Sequence, residues 1–208
     1  MLKGVAWPQL GVDILTADTK PDGPLDLEAL FGRQAPTVLE IGSGTGISTA
    51  AMAAAEPDVD VLAVEVYRPG LAQLVGLVDR NGLTNVRMIR GDATVVLTEL
   101  IRPASLTGIR LFFPDPWPKA RHAKRRLVQQ HTLDLIASRL REGGQLLVAT
   151  DHLVYAEHVR EQLTEHGGFD VVEGERPDWR PSDGFEDKGR RAGREIHEFR
   201  ATPRRRPR

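Results

Sequence analysis

The stretch that most restricts how this chain can fold is Glu40-Ile41-Gly42-Ser43-Gly44-Thr45-Gly46, a glycine turn between a β-rich run and an alanine-rich one. Thr37–Ile41 reads as a short strand, and Ile47–Ala55 as a helix that Pro57 stops. Strand, glycine turn and helix in that order open an α/β sheet that binds its ligand at the carboxyl ends of the strands. The pattern then repeats. Residues 60–66 read as a strand, and residues 71–81 as a helix closing at Asn81-Gly82. Val86–Arg90 and residues 109–113 are the next strands. Leu133, Ile136, Ala137 and Leu140 fall at helical spacing ahead of Gly143-Gly144, and residues 145–149 form the next strand. Ala156, Val159 and Leu163 mark another helix, closed by Gly167-Gly168. Residues 169–173 and 194–200 are late strands expected to pair antiparallel near an edge. The predicted fold is α/β: a single-domain, doubly wound, mostly parallel sheet with helices on both faces.

Residues 1–203 are expected to form that domain, with 1–36 as a lead-in holding one short helix near 25–31, capped by Asp26. Residues 204–208 read as a basic tail. At 208 residues, 40 % hydrophobic and 27 % charged, the chain can bury a proper core. No apolar run reaches membrane length, and the start lacks the apolar stretch of a signal peptide. With no cysteine, thiol nucleophiles and thiolate metal sites are excluded. The six histidines show no ligand spacing, so no metal is expected. A cytoplasmic protein is the expectation.

The glycine turn does not fit a pyrophosphate. A dinucleotide fingerprint needs a third small residue where Ile47 stands, and no Gly-Lys-Ser/Thr follows for a P-loop. A turn preceded by the acid Glu40 and lacking a lysine suits a ligand with an ammonium or sulfonium group. Glu65, 19 residues after Gly46, stands where a carboxylate can accept from ribose hydroxyls. Asp92 follows the third strand and can accept from an adenine amino group, with the Ala93 amide beside it. A lone strand-end acid is most often a helix cap. Three at successive strand ends, with a glycine turn at the first, make a stronger pattern. From about Thr37 to Ala149 the chain resembles class I S-adenosylmethionine-dependent methyltransferases. The resemblance implies S-adenosylmethionine held by Glu40, Gly42, Gly44, Gly46, Glu65, Asp92, Ala93 and Asp115.

The second organising stretch is Phe113-Pro114-Asp115-Pro116-Trp117-Pro118-Lys119, followed by Arg121, His122, Lys124, Arg125 and Arg126. Net charge is -1 for the chain, but residues 1–118 carry a net of -5 and residues 179–208 a net of +5. An electropositive face must therefore draw on the run after Lys119 and on the C-terminal segment. The arginines fit RNA backbone contacts, and Trp117 fits packing or base stacking equally well. A solvated first turn of the following helix is the bland reading of Arg125 and Arg126, although cations are unfavourable at a helix start.

This stretch closely resembles the hallmark of the tRNA (guanine-N7)-methyltransferase family, which Asp151 and the Phe185-Glu186 pair also match. The family usually has threonine where Asp183 stands, and a carboxylate there would repel phosphate. The family also usually carries an arginine-rich arm ahead of the segment matching Trp7-Pro8-Gln9-Leu10-Gly11: either that arm is missing from this sequence, or tRNA binding relies on residues 119–126 and the C-terminal basic residues. The resemblance implies 7-methylguanosine formation in tRNA, at a variable-loop guanosine. Asp115 would be the catalytic group, and Lys119, Arg121, Asp151, Asp183 and Glu186 the substrate contacts. A catalytically inactive methyltransferase-like RNA-binding protein is the alternative. The chemistry agrees with the enzyme. Guanine N7 has an in-plane lone pair and no proton, so no general base is needed. In-line positioning and a carboxylate beside the cationic product supply the catalysis. A base within folded RNA must be extruded to reach such a site.

Overall fold

The computed structural model describes residues 11–13, 21–182 and 184–204. The elements are β1 (Gly11–Asp13), α1 (Leu27–Phe31), β2 (Thr37–Ile41), α2 (Ile47–Ala55), β3 (Asp60–Glu65), α3 (Arg68–Arg80) and β4 (Val86–Arg90). A single helical turn, α4 (Ala93–Val95), runs into a π turn at Val96–Leu100 before β5 (Leu106–Phe112). A 3-10 turn at Ala120–Arg125 precedes α5 (Gln130–Arg139), β6 (Leu140–Thr150), α6 (Leu153–His166), β7 (Phe169–Gly174), α7 (Gly184–Arg191) and β8 (His197–Pro203).

The strands form one sheet in the order β1-β4-β3-β2-β5-β6-β8-β7. Pairing is parallel from β1 through β6, and β8 alone runs against its neighbours β6 and β7. Alternation along the strands separates two cores. Val38, Val61, Ala63, Val86 and Met88 face Ala50 and Ala53 of α2 and Leu71, Leu74 and Val78 of α3. On the opposite face, Leu39, Leu62, Ile89, Ile109, Leu111 and Val148 meet Leu97, Leu133, Ile136, Tyr155 and Val159. Helices therefore cover both faces. The strand order turns back at β2, so the carboxyl ends of β2, β3 and β5 open a crevice there.

Several boundaries differ from expectation. The lead-in contributes β1, a three-residue strand beside β4. The fifth helix ends at Arg139, and β6 starts at Leu140 with a register irregularity between Leu106 and Gly108 that absorbs Gly143-Gly144. The final strand begins at His197, three residues later than 194. At the chain end Pro203 closes β8, and Arg204 is tied back by Nε to Asp170 Oδ1 (2.8 Å) and by Nη1 to the Gly167 carbonyl (3.1 Å). The rest of the expected tail, 205–208, lies outside the described residues.

Candidate active site

A cavity of about 540 Å³ lies at the carboxyl ends of β2, β3 and β5. One wall is the glycine turn, where Gly42, Gly44 and Gly46 all take positive φ (82°, 55° and 75°) and swing the chain from β2 into α2. Glu40, Gly42, Gly44 and Glu65 line it, and Glu40 is 3 % exposed. Gly46 is buried behind the turn as the N-cap of α2. Glu65 holds the turn: its Oε2 accepts from the Gly44 amide (2.8 Å), and its Oε1 from the Val66 and Tyr67 amides (2.7 and 2.8 Å). An ionised carboxylate has about four acceptor positions, so three backbone donors leave room for further contact. From behind, Gly70 of α3 presses on the turn so closely that a Cβ there would sit 1.8 Å from the Gly44 carbonyl oxygen. Sequence reasoning missed Gly70, whose signal is a glycine in the first turn of a helix after Pro69.

Asp92 and Ala93 stand apart from this cavity's lining. Asp92 is exposed and caps α4, its Oδ1 accepting from the Thr94 and Val95 amides (2.7 and 3.3 Å). It lies at the same sheet edge, past the end of β4.

The opposite wall is the loop leaving β5. Phe112, Phe113, Pro114, Asp115 and Trp117 line the cavity, and Asp115 is exposed to it. Phe113 and Trp117 both take positive φ, 49° and 41°, a left-handed conformation that bulky side chains rarely adopt. The basic run divides by role. Lys119, Arg121 and Lys124 are exposed around the 3-10 turn, and Arg121 Nε donates to His122 Nε2 (3.3 Å). Arg125 lies over the Trp117 ring, 4.7 Å from its centroid, and lines the cavity. His122 meets the same ring edge-on at 5.7 Å. Arg126 departs from the RNA-contact reading. It is 8 % exposed, and its Nε and Nη2 donate to the carbonyls of Pro116 (3.1 Å) and Trp117 (3.0 Å).

The third wall is α7, which brings Gly184 and Lys188 to the cavity. Glu186 faces inward instead, at 0 % exposure. Its Oε2 accepts from Arg180 Nη1 (2.9 Å), and its Oε1 from Arg190 Nε and Nη2 (3.0 and 2.8 Å). Asp151 is half-buried and paired with Arg194 (2.8 Å). Gly189 lies against it, where a Cβ would approach Asp151 Cβ and Oδ2 to 2.9 Å. Neither Glu186 nor Asp151 lines the cavity, and neither do Lys119 and Arg121. Asp183 lies outside the described residues. Among the described residues no group of three histidine or acidic side chains is placed to hold a metal, and no helix is long and apolar enough to cross a membrane.

A parallel sheet with one reversed strand, and a cavity between a glycine turn and an acid-bearing loop at its carboxyl edge, define a Rossmann-like class I methyltransferase. Residues 34–199 match the family described as "Putative methyltransferase". The tRNA (guanine-N(7)-)-methyltransferase of Mycobacterium avium (strain 104) is 53 % identical over 199 residues, covering 93 % of this chain and 77 % of the relative. The protein of the same name from Mycolicibacterium gilvum (strain PYR-GCK) is 61 % identical over 160 residues, covering 74 % of this chain and 60 % of the relative. The chain belongs to the tRNA (guanine-N7-)-methyltransferase family. Solved structures of similar fold include the antibiotic-resistance methyltransferase Kmr (TM-score 0.59, 16 % identity, covering 88 % of this chain and 93 % of that one). An rRNA methylase from Streptococcus thermophilus is also similar (TM-score 0.56, 14 % identity, 82 % and 88 % covered).

Proposed function

We propose that this protein transfers a methyl group from S-adenosylmethionine to N7 of a guanosine in tRNA, at a variable-loop position. The observation that carries the reading is the placement of Asp115 across one cavity from the glycine turn, with exposed Lys119, Arg121 and Lys124 just beyond it. The donor, a sulfonium nucleoside, supplies the methyl group. Glu40 and Gly42 to Thr45 surround its amino-acid end, and the amides opening α2 favour its carboxylate. Glu65 is the ribose contact and Asp92, with the Ala93 amide, the adenine contact at the same edge. The guanine enters between Trp117, Arg125 and α7. Asp115 orients it and stabilises the positive charge that grows on the ring as N7 attacks the methyl carbon. N7 has no proton to lose, so Asp115 needs no change of protonation. Lys119 and Arg121 hold RNA phosphates. Asp151 and Glu186 support the guanine pocket through α7, each being paired to an arginine of that segment or just beyond it.

The test is to incubate the protein with labelled donor and unmodified tRNA and digest the product to nucleosides. Label confined to 7-methylguanosine is expected. Label in another nucleoside, or donor binding with no transfer, overturns the assignment; the second result would favour an inactive RNA-binding relative.

A further inference from the structure

The five residues 113–117 carry the acid in a conformation they would not choose alone. Phe113 and Trp117 occupy left-handed backbone on either side of Pro114-Asp115-Pro116. Neither is glycine, so the surroundings must impose that geometry. Two buried arginines do so, one at each end. Arg126 donates to the Pro116 carbonyl at 3.1 Å and to that of Trp117 at 3.0 Å, tying down the exit. At the entry, the Arg180 guanidinium lies 5.2 Å from the Phe112 ring centroid and 5.5 Å from that of Phe113. Arg180 is 2 % exposed and is held by Glu186 Oε2 at 2.9 Å and by Glu198 Oε1 of β8. Its position is therefore fixed by α7 and β8 together, and it transmits that position to Phe113.

A buried arginine is weak support for stability, because desolvation offsets most of its ion-pair attraction. Its specific gain here is geometric: a rigid planar fork can hold two acceptors, or stack on rings, at set angles. We propose that Arg126 and Arg180 are positioning residues that hold the two ends of the loop 113–117 in left-handed backbone, so that Asp115 faces the reacting base. The inference rests on the role given to Asp115 above, and neither arginine lines the cavity.

The test uses Arg126→Lys and Arg180→Lys in the full chain, which keep the charge but lose the fork. Single-turnover methyl transfer at saturating tRNA and donor should fall by about 10²-fold, as expected for a displaced reacting group. KM for tRNA, donor affinity and the stoichiometry of donor binding should remain those of the unaltered protein. A merely structural role would instead lower the donor-binding fraction in parallel with activity and leave the rate per binding-competent molecule unchanged, which overturns the proposal. So does full activity in either variant. Should a lysine variant fail to fold, Glu198→Gln leaves both arginines in place and loosens only Arg180. The same split is then expected at about tenfold, on the smaller displacement, and unchanged turnover sinks the idea. Absence of 7-methylguanosine from the unaltered protein would reject the functional assignment itself, a result distinct from either of these.

Discussion

The proposed role of Asp115 rests on charge and place, and both can be tested separately from the donor site. Asp115→Ala removes the carboxylate proposed to face the cationic product while leaving Glu40 and Glu65 intact. Turnover should fall by about 10²–10³-fold, with donor affinity measured by calorimetry unchanged. Gly70 makes the opposite prediction. Its missing Cβ would lie 1.8 Å from the Gly44 carbonyl oxygen, a clash with backbone that cannot move without shifting the turn. Gly70→Ala should cost about 1–3 kcal/mol of stability as an overpacked contact, and calorimetry should show weaker donor binding even in the folded fraction. The glycine turn was legible in the sequence because its residues are contiguous. Gly70 was not, because its constraint is a contact across 26 residues of chain between α3 and the turn. Arg126 was misread for a related reason. A cationic run reads as solvated or RNA-facing, and nothing in the run tells which member folds back onto its own carbonyls.

At the scale of elements, the alternation of strand and helix was readable because two faces of the sheet each demand apolar periodicity. The boundaries that slipped are those where local signals conflict with sheet pairing. Gly143-Gly144 looks like a helix stop, yet the ladder with β5 already starts at Leu140. β1 has three residues and no alternation to reveal it. The 3-10 turn at Ala120–Arg125 combines two jobs: its exposed members point to solvent, and Arg125 stacks on Trp117. If Lys119 and Arg121 meet phosphates, Lys119→Gln with Arg121→Gln should weaken tRNA binding across all sequences. Each lost contact should reduce the slope of log affinity against log salt by about 1. Filter binding over a salt series measures it; an unchanged slope would remove both residues from the RNA interface.

For the molecule as a whole, one histidine links acid stability to the site. His158 of α6 is half-buried, and its Nε2 meets the Val128 carbonyl at 2.7 Å. Burial lowers its pKa from 6.5, and the nearby Arg126 charge adds to that, while the Val128 bond and Glu161 oppose it. A lowered folded-state pKa means the neutral form is favoured in the fold. That contribution to stability is full above the unfolded value and is lost as pH falls through the folded one. The melting temperature should therefore drop as pH falls below about 6.5. His158→Gln, which keeps a donor for Val128, should flatten that drop; an identical pH profile would show that His158 is not its source.

The reversed strand β8 has a consequence in time. Among the described strands it comes latest in the chain, yet it sits between β6 and β7, both synthesised before it. Glu198, which anchors Arg180, arrives with it. Until β8 inserts, β6 and β7 have no ladder between them, α7 lacks its anchor, and the loop bearing Asp115 is held at its Arg126 end alone. A nascent chain ending at Arg194 should expose both strand edges to other chains, and should aggregate or stay bound to chaperones with no methyl transfer. Insertion of β8 would then be the event that completes the site, and arrested-chain complexes assayed before and after β8 is added would show it.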